Sequence, residues 1–193
     1  MDVAIVYESL FGNTRSVAEA IADGYRGTRP EADVAVLEVD EASPDQVGQV
    51  DLLVVGGPTH TFRMTTPRTR RMSRQTAHVG RGTGDGIRET QEHTVAPGVR
   101  EWLKVLPAAP TGAEAAAFDT RFGSPLAGGA ARSISRQLRD HGYLIVTDPK
   151  GFIVMGGEGP LKSGEKERAR VWGVRLARLC SWGSLRDIPG REG

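Results

Sequence analysis

Several features that would by themselves indicate a class of protein are scarce or absent in the sequence. Its 193 residues include one cysteine, Cys180, which excludes an internal disulfide and a thiolate metal cluster. No apolar run approaches the roughly 18–20 residues of a membrane-spanning helix. No basic region or small-residue cleavage site precedes the first apolar segment, which begins at Val3. The net charge of +1 favours neither nucleic acid nor a membrane surface. These absences predict a cytoplasmic protein without a metal centre.

The length suits one compact domain with a real core. We expect residues 1–186 to form that domain and residues 187–193 to be a loose C-terminal tail. A polar stretch at about residues 63–97 breaks the regular pattern and carries seven arginines between Arg63 and Arg88. We interpret it as an insertion, either a solvated loop or a surface for an acidic partner.

Apolar runs rich in β-branched residues alternate with helical periodicity along the chain. Unbroken runs of this kind are typical of strands buried on both faces of a parallel sheet. The sequence therefore predicts an α/β fold, a doubly wound five-stranded parallel sheet with helices on both faces. The predicted strands are Val3–Tyr7, Val34–Leu37, Leu52–Val55, Ala115–Asp119 and one of Tyr143–Val146 or Phe152–Met155.

Three details of the predicted helices can be checked directly. Gly24 and Gly27 mark the end of the first helix, which opens at Thr14. Ser163 caps the last helix, which runs to about Cys180. The apolar face of that helix is predicted from periodicity. Its members are Val171, Val174, Leu176 and Leu179.

The loop after the first strand is Ser9-Leu10-Phe11-Gly12-Asn13-Thr14. A helix start presents backbone N–H groups without intrahelical partners and carries partial positive charge. Gly12 permits close backbone approach, and the hydroxyls of Ser9 and Thr14 can donate hydrogen bonds. The loop therefore suits a phosphate dianion. The alternative is that Ser9 and Thr14 only cap the helix.

This loop resembles the flavodoxin phosphate-binding signature, Thr/Ser-x-Thr-Gly-x-Thr, and it follows an N-terminal strand as in that family. The resemblance implies strand order 2-1-3-4-5 and FMN bound without a covalent bond. The FMN phosphate would be held by Ser9, Gly12, Asn13, Thr14 and the amides between Leu10 and Arg15. Phe11 stands where the signature has a hydroxyl residue, so its amide would serve instead.

The resemblance implies roles for two further loops. The segment after the third strand would touch one face of the flavin ring, through Pro58, Thr59, His60, Thr61 and Phe62. The segment after the fourth strand would cover the other face and meet the pyrimidine edge, through Asp119, Thr120, Arg121, Phe122 and Gly123. Phe122 is the candidate for the second face, with a core position as its alternative.

The resemblance favours electron transfer through FMN with a redox partner protein or reductase. The alternatives are an NAD(P)H-dependent FMN or quinone reductase, and a flavin-free interaction module with the same fold. The positive charges of His60, Arg63 and Arg121 predict a less reducing flavin than in acidic flavodoxins. Cys180 is interpreted as a small core residue. The glycine-rich segment from Gly156 to Pro160 is interpreted as loop geometry without a role at the site.

Overall fold

The computed structural model describes residues 2–60, 63–66, 97–123 and 129–180, with the backbone alone at His60 and Arg63. The strands of these ranges are β1 Val3–Tyr7, β2 Val34–Glu38, β3 Leu52–His60, β4 Arg63–Met64, β5 Glu114–Phe122, β6 Leu144–Ile145 and β7 Lys150–Val154. The helices are α1 Asn13–Thr28, α2 Pro44–Val47, α3 Val99–Val105, α4 Ala130–Asp140 and α5 Glu165–Leu179.

The strands form one sheet in the order β2-β1-β3-β5, with β6 and β7 sharing the next position. β6 pairs with the start of β5 through Leu144 and Glu114, and β7 pairs with its end through Lys150 and Phe118. Every pairing is parallel except the short antiparallel contact of β4 with β3. The predicted doubly wound order is confirmed, and both candidate fifth strands occupy the fifth position, one after the other.

β3 and β5 continue beyond their predicted ends. β3 reaches His60 and β5 reaches Phe122, so much of the two expected binding loops is strand. The extension has a physical basis, since Pro58 lies in register with Thr120 while β7 pairs with β5 as far as Phe122. A strand with partners on both sides has its backbone groups satisfied and therefore extends as far as its neighbours do.

Side-chain alternation along the strands gives the sheet two buried faces. Val3 and Ile5 point to one face, where α1 and α5 pack, and we call it the α1 face. Ala4 and Val6 point to the other, where α3 and α4 pack, and we call it the α4 face. Each face buries its own apolar cluster, which accounts for the continuous apolar runs in the sequence.

Gly24 does not end α1, and the prediction was wrong because the helix continues to Thr28. A Cβ at Gly24 would lie 1.9 Å from the carbonyl oxygen of Arg170, and one at Gly173 would lie 2.0 Å from that of Ile21. The two glycines therefore let the backbones of α1 and α5 touch. Gly27 also lies inside the helix.

The start and the apolar face of α5 also differ from expectation. Gly164, with φ of 84°, is the N-cap, and no capping side chain bonds there, so Ser163 does not cap the helix. The buried face is formed by Ala169, Trp172, Gly173, Leu176 and Ala177, whereas Val171 is 53% exposed. Periodicity predicted Leu176 correctly and missed the rest of this face, because it is made largely of small residues. None of the helices within the described ranges is long and apolar enough to cross a membrane.

Candidate functional site

A cavity of about 80 Å³ lies at the carboxyl ends of the parallel strands, beside the first turn of α1. β1 leads to β2 on one side while β3 lies on the other, so this edge contains a topological switch point, where doubly wound sheets bind ligands. The cavity lining comprises Leu10, Phe11, Asn13, Thr14, Pro58, Thr59, Thr120, Phe122, Val154, Gly156 and Gly157. The structure thus brings residues from all three predicted segments together.

The loop before α1 exposes backbone donors. Gly12 has φ of 81°, a left-handed conformation that favours glycine, and it is the N-cap without a side-chain bond. The Arg15 N–H donates to Ser9 Oγ at 3.3 Å. Within the described residues, the N–H groups from Leu10 to Thr14 have no protein acceptor. Ser9 therefore contributes a single long capping contact, and four of the residues that carry these N–H groups, Leu10, Phe11, Asn13 and Thr14, line the cavity.

Thr14 joins this loop to β5 instead of capping the helix. Its Oγ1 lies 2.9 Å from Oγ1 of Thr120, and both side chains are buried. One hydroxyl donates in this pair and the other accepts, so one of the two protons is left for a third group. Both residues line the cavity.

α1 differs from the other described helices in how its positive end is compensated. The first turn of α1 has no acidic residue. The one charged residue in that turn, Arg15, pairs with Glu19 at 2.8 Å. In the other described helices a carboxylate of the chain serves this purpose. These carboxylates are Asp45 in α2, Glu8 and Glu101 at α3, Asp119 at α4, and Glu165 and Glu167 in α5.

The end of β5 splits the predicted residues between the two faces of the sheet. Thr120 and Phe122 lie on the α1 face and line the cavity. Asp119 and Arg121 lie on the α4 face, where the Arg121 guanidinium approaches Gly151 so closely that a Cβ there would be 2.2 Å from Nε. Arg121 is consequently not part of the cavity lining.

Asp119 is completely buried and organises the neighbouring strand ends. Its Oδ1 lies 2.7 Å from Arg121 Nε, and its Oδ2 accepts the Ala131 N–H at 2.9 Å. Burial raises the pKa of this carboxyl, although Ala131, Arg121 and the Thr59 hydroxyl each oppose the shift. Thr59 Oγ1 also accepts the Ala130 N–H at 2.9 Å. Asp119 therefore positions Thr59, which does line the cavity.

A fourth wall of the cavity was missed by the sequence analysis. Val154, Gly156 and Gly157 line it, and Asn13 Nδ2 donates to the carbonyl oxygen of Glu158 at 2.9 Å. The segment interpreted as loop geometry without a role is thus in contact with the first residue of α1. The available signal was the strand-like run before these glycines, because its carboxyl end reaches the same edge as β1.

The residues predicted to contact the flavin ring are only partly described. Pro58 and Thr59 reach the cavity, and Phe122 is 49% exposed at its rim, which contradicts a core position. Gly123 follows on the surface. Thr61, Phe62 and the side chain of His60 lie outside the described residues, as does the arginine-rich stretch apart from residues 63–66 and Pro97.

The other reactive groups among the described residues lie away from this site. Cys180 is buried at the end of α5, and burial raises the pKa of its thiol, as expected for the predicted core residue. Within the described ranges, no group of three or more histidine, cysteine or acidic side chains is placed to hold a metal ion.

Comparisons with known proteins agree with the geometry. No protein-family model matches the chain. A flavodoxin from Aquifex aeolicus is 38% identical over 58 residues, which is 30% of this chain and 31% of that protein. An archaeal flavodoxin structure covers 92% of this chain and 97% of its own, with 21% identity and a TM-score of 0.60. A flavodoxin, WrbA-like protein from Agrobacterium tumefaciens covers 92% of this chain and 96% of its own, with 16% identity and a TM-score of 0.53. The chain has a flavodoxin-like fold, and the resemblance seen in its sequence is confirmed at that level.

Proposed function

We propose that this flavodoxin-like protein binds FMN without a covalent bond and transfers electrons through it in the cytoplasm. The observation that carries the proposal is the start of α1, where free backbone donors and the Thr14–Thr120 hydroxyl pair meet at one cavity. The other described helix starts receive a carboxylate from the chain itself. An anion from outside the chain would complete this one.

The donor set fits the phosphate of FMN. Backbone N–H groups and hydroxyls supply hydrogen bonds to a dianion, and none of the described residues that line the cavity is a lysine or an arginine. A cavity of about 80 Å³ has room for a few water molecules, which is the size of a phosphate group. Pockets that enclose whole ligands measure roughly 300–1,000 Å³. The cavity would therefore hold the phosphate, and the ring would lie outside it.

The residues around the rim would orient the rest of the ligand. The exposed ring of Phe122 offers an aromatic surface at the cavity edge. Asp119 fixes Thr59 and thereby the end of β3 on the opposite side. When bound, FMN supplies the acceptance and release of electrons, and the chain supplies binding, orientation and the local charge.

The positive charge near this site is smaller than the sequence predicts. Arg121 is paired with the buried Asp119, and its guanidinium lies on the α4 face. The negative charge of Asp119 therefore offsets the positive charge of Arg121 at a ligand in the cavity. The prediction of a flavin that is less reducing than in acidic flavodoxins therefore rests on the charges of His60 and Arg63. A redox titration of the flavin-loaded protein, compared with His60→Gln and Arg63→Gln variants, measures that dependence, and we expect both variants to lower the potential.

The test is the visible spectrum of the purified protein before and after incubation with excess FMN and desalting. We expect flavin absorption to persist at about one FMN per chain, and inorganic phosphate to compete for binding. A folded protein that stays colourless would contradict the proposal. The Ser9–Thr14 loop would then be a simple helix start, and the flavin-free interaction module would become the better description.

Anaerobic mixing of the flavin-loaded protein with NADPH separates a carrier from a reductase. We expect slow bleaching, because a carrier takes its electrons from a partner protein or reductase. Prompt bleaching would favour the NAD(P)H-dependent FMN or quinone reductase instead. Slow bleaching with rapid reduction by an added flavodoxin reductase would support the carrier.

A further inference from the structure

The fifth position of the sheet is covered at β7 and open at β6. At β7 the chain that leads to α5 runs along the outer edge, where the Lys162 N–H donates to the Ile153 carbonyl oxygen at 2.9 Å. At β6 the N–H groups of Leu144 and Val146 donate to carbonyl oxygens on the β5 side, at 2.9 and 3.0 Å. Successive N–H groups of a strand point to opposite sides, so that of Ile145 points away from the sheet. Within the described residues, β6 therefore presents an open edge, which another chain can contact.

A second cavity, of about 340 Å³, lies beside this open edge. It is lined by residues 145–149, by Arg139 at the end of α4, and by Arg175 and Leu179 at the end of α5. None of these residues lines the cavity at the start of α1. The two cavities are therefore separate, and what binds at one does not occupy the other.

Exposed apolar side chains flank the second cavity. Leu144 is 58% exposed and Leu179 is 44% exposed. They belong to neighbouring elements, because Leu144 lies in register with Glu114, whose side chain hydrogen-bonds the Cys180 thiol at the end of α5. Exposed apolar residues that adjoin an open strand edge favour contact with another protein surface.

The same cavity carries both signs of charge without an ion pair of its own. Arg139, Asp148 and Arg175 line it, yet in the described part of the chain none of the three forms a hydrogen bond or an ion pair. By contrast Arg168, on the same helix as Arg175, pairs with Glu165 at 2.5 Å. We call Arg139, Leu144, Asp148, Arg175 and Leu179 together the β6 surface. Its unpaired charges of opposite sign make it complementary to a second copy of itself, since a two-fold axis brings the same patch of two copies together.

The opposite edge of the sheet is less suited to self-association. Glu38 ends β2 there, and Asp40 and Glu41 follow it. Burial and the negative charges of these two neighbours raise the pKa of Glu38. Two copies that met at β2 would bring these carboxylates together, and like charges across an interface repel. The charges therefore favour the β6 surface over the β2 edge.

We propose that the β6 surface is the interface of a two-fold symmetric dimer, in which Asp148 of each copy contacts Arg139 and Arg175 of the other. Leu144 and Leu179 would be covered by the same surface of the second copy. The two β6 strands would run antiparallel, so that their outward backbone groups meet across the axis. The carboxyl ends of the two sheets would then point in opposite directions, which leaves both proposed phosphate sites uncovered.

Sedimentation velocity of the full chain, over a range of concentrations, measures the dimer dissociation constant. We expect a concentration-dependent dimer of the parent protein. Asp148→Arg should raise its dissociation constant about a hundredfold, because the substitution occurs twice in a two-fold dimer and about tenfold is lost at each contact. The double variant Arg139→Glu, Arg175→Glu should weaken the dimer at least as much.

An equimolar mixture of these two variants tests the pairing itself. Each variant carries one sign of charge at the three cavity positions, so each repels itself and is complementary to the other. We expect the mixture to form a heterodimer about as readily as the parent forms its dimer. Glu31→Arg is the matched control, since it makes the same charge change as Asp148→Arg at an exposed residue before β2. It should leave dimerisation of the parent unchanged.

A second pair of variants tests the apolar part of the β6 surface. Leu144→Asp should raise the dissociation constant at least about tenfold, because it places a charge where apolar surface is to be buried. Val105→Asp is its control, since Val105 is 66% exposed at the end of α3. α3 lies toward β2, as the Trp102 Nε1 donation to the Ala42 carbonyl oxygen shows. Melting temperatures establish that every variant folds.

The outcomes separate this inference from the proposed function. A parent that stays monomeric up to about 1 mM would overturn the inference, and the β6 surface would then be free for a different protein. A parent dimer that neither charge reversal weakens would also overturn it, because the interface would lie elsewhere. FMN binding is measured on the same samples. A folded dimer that binds no FMN would support the inference and contradict the proposed function.

Discussion

The first turns of α1 and α4 lie at the same edge of the sheet, on opposite faces, and differ in what satisfies them. At α4 the buried Asp119 accepts the Ala131 N–H and pairs with Arg121. At α1 no acidic side chain lies in the first turn, and the exposed donors border a cavity. The chain supplies its own anion at α4, whereas under the proposed function the phosphate of a ligand would supply it at α1. On that proposal the start of α4 serves stability and the start of α1 serves binding.

The largest effect is expected from removing the anion at α4. Asp119→Ala leaves the Ala131 N–H and the Arg121 guanidinium without their carboxylate, and we expect a loss of about 3 kcal/mol in the free energy of unfolding. Asp119→Asn should lose less, because its amide oxygen can still accept from Ala131. Urea denaturation measures both, with Asp140→Ala on the exposed end of α4 as control. A loss for Asp119→Ala no larger than that control's would contradict the comparison.

The second prediction supplies the missing anion at α1. Ser9→Asp places a carboxylate beside the Arg15 N–H, which Ser9 Oγ now accepts at 3.3 Å. We expect FMN affinity to fall about tenfold, or ~1.4 kcal/mol, because the new charge repels the phosphate. The free energy of unfolding should rise by about 0.5–1 kcal/mol.

Ser9→Asn is the matched control for that substitution. Asparagine has nearly the same shape as aspartate and carries no charge. Ser9→Asn should therefore stabilise α1 and keep FMN affinity within about twofold of the parent. Fluorescence titration and thermal unfolding give the two readouts. If Ser9→Asp and Ser9→Asn bind FMN equally well, the start of α1 is not the phosphate site.

A smaller effect is expected at the hydroxyl pair. Thr14→Val removes one hydroxyl and leaves Thr120 without its partner, and we expect a loss of about 1 kcal/mol in FMN binding, or about fivefold. Thr14→Ser should restore most of it. In a cycle with Thr120→Val, the two substitutions should be less than additive, since they share one hydrogen bond. Full additivity in the titrations would show that the hydroxyls act independently.

The smallest effect concerns pH. Burial raises the pKa of Asp119 above its ordinary 3.8, so the folded state binds this proton more tightly than the unfolded chain does. The contribution of Asp119 to stability is therefore complete below about pH 4 and declines as pH rises through the folded pKa. Unfolding free energies of the parent and Asp119→Asn should differ more at pH 4 than at pH 7. A difference that grows toward pH 7 would mean that the ion pair with Arg121 outweighs burial.

The sequence predicted the fold well because the fold depends on patterns within single elements. The run from Val3 to Tyr7 and the helix after Gly12 have the periodicity of the elements they form. The strand order came from a resemblance centred on the loop between them. The prediction of an anion site at the start of α1 was possible for the same reason, since all its donors come from consecutive residues.

The parts that sequence analysis missed depend on contacts between distant segments. Asp119 and Thr120 were assigned together to a loop, but a strand places neighbours on opposite faces, and only its pairing with β7 shows that β5 extends so far. Gly24 was interpreted as a helix end because nothing in its own helix reveals Gly173. The segment from Gly156 to Pro160 was given no role at the site because 145 residues separate Asn13 from Glu158.

The glycine contact between α1 and α5 bears on how the protein is made. α1 carries the donors of the proposed phosphate site, yet its inner surface is covered by α5, whose backbone touches it at Gly24 and Gly173. A chain leaving the ribosome exposes its N-terminal segments first. α1 can therefore be fixed, and the cavity beside it closed, only after residues 154–179 have been synthesised. Under the proposed function, a product that ends before α5 would lack the packing that fixes α1 and would hold no FMN.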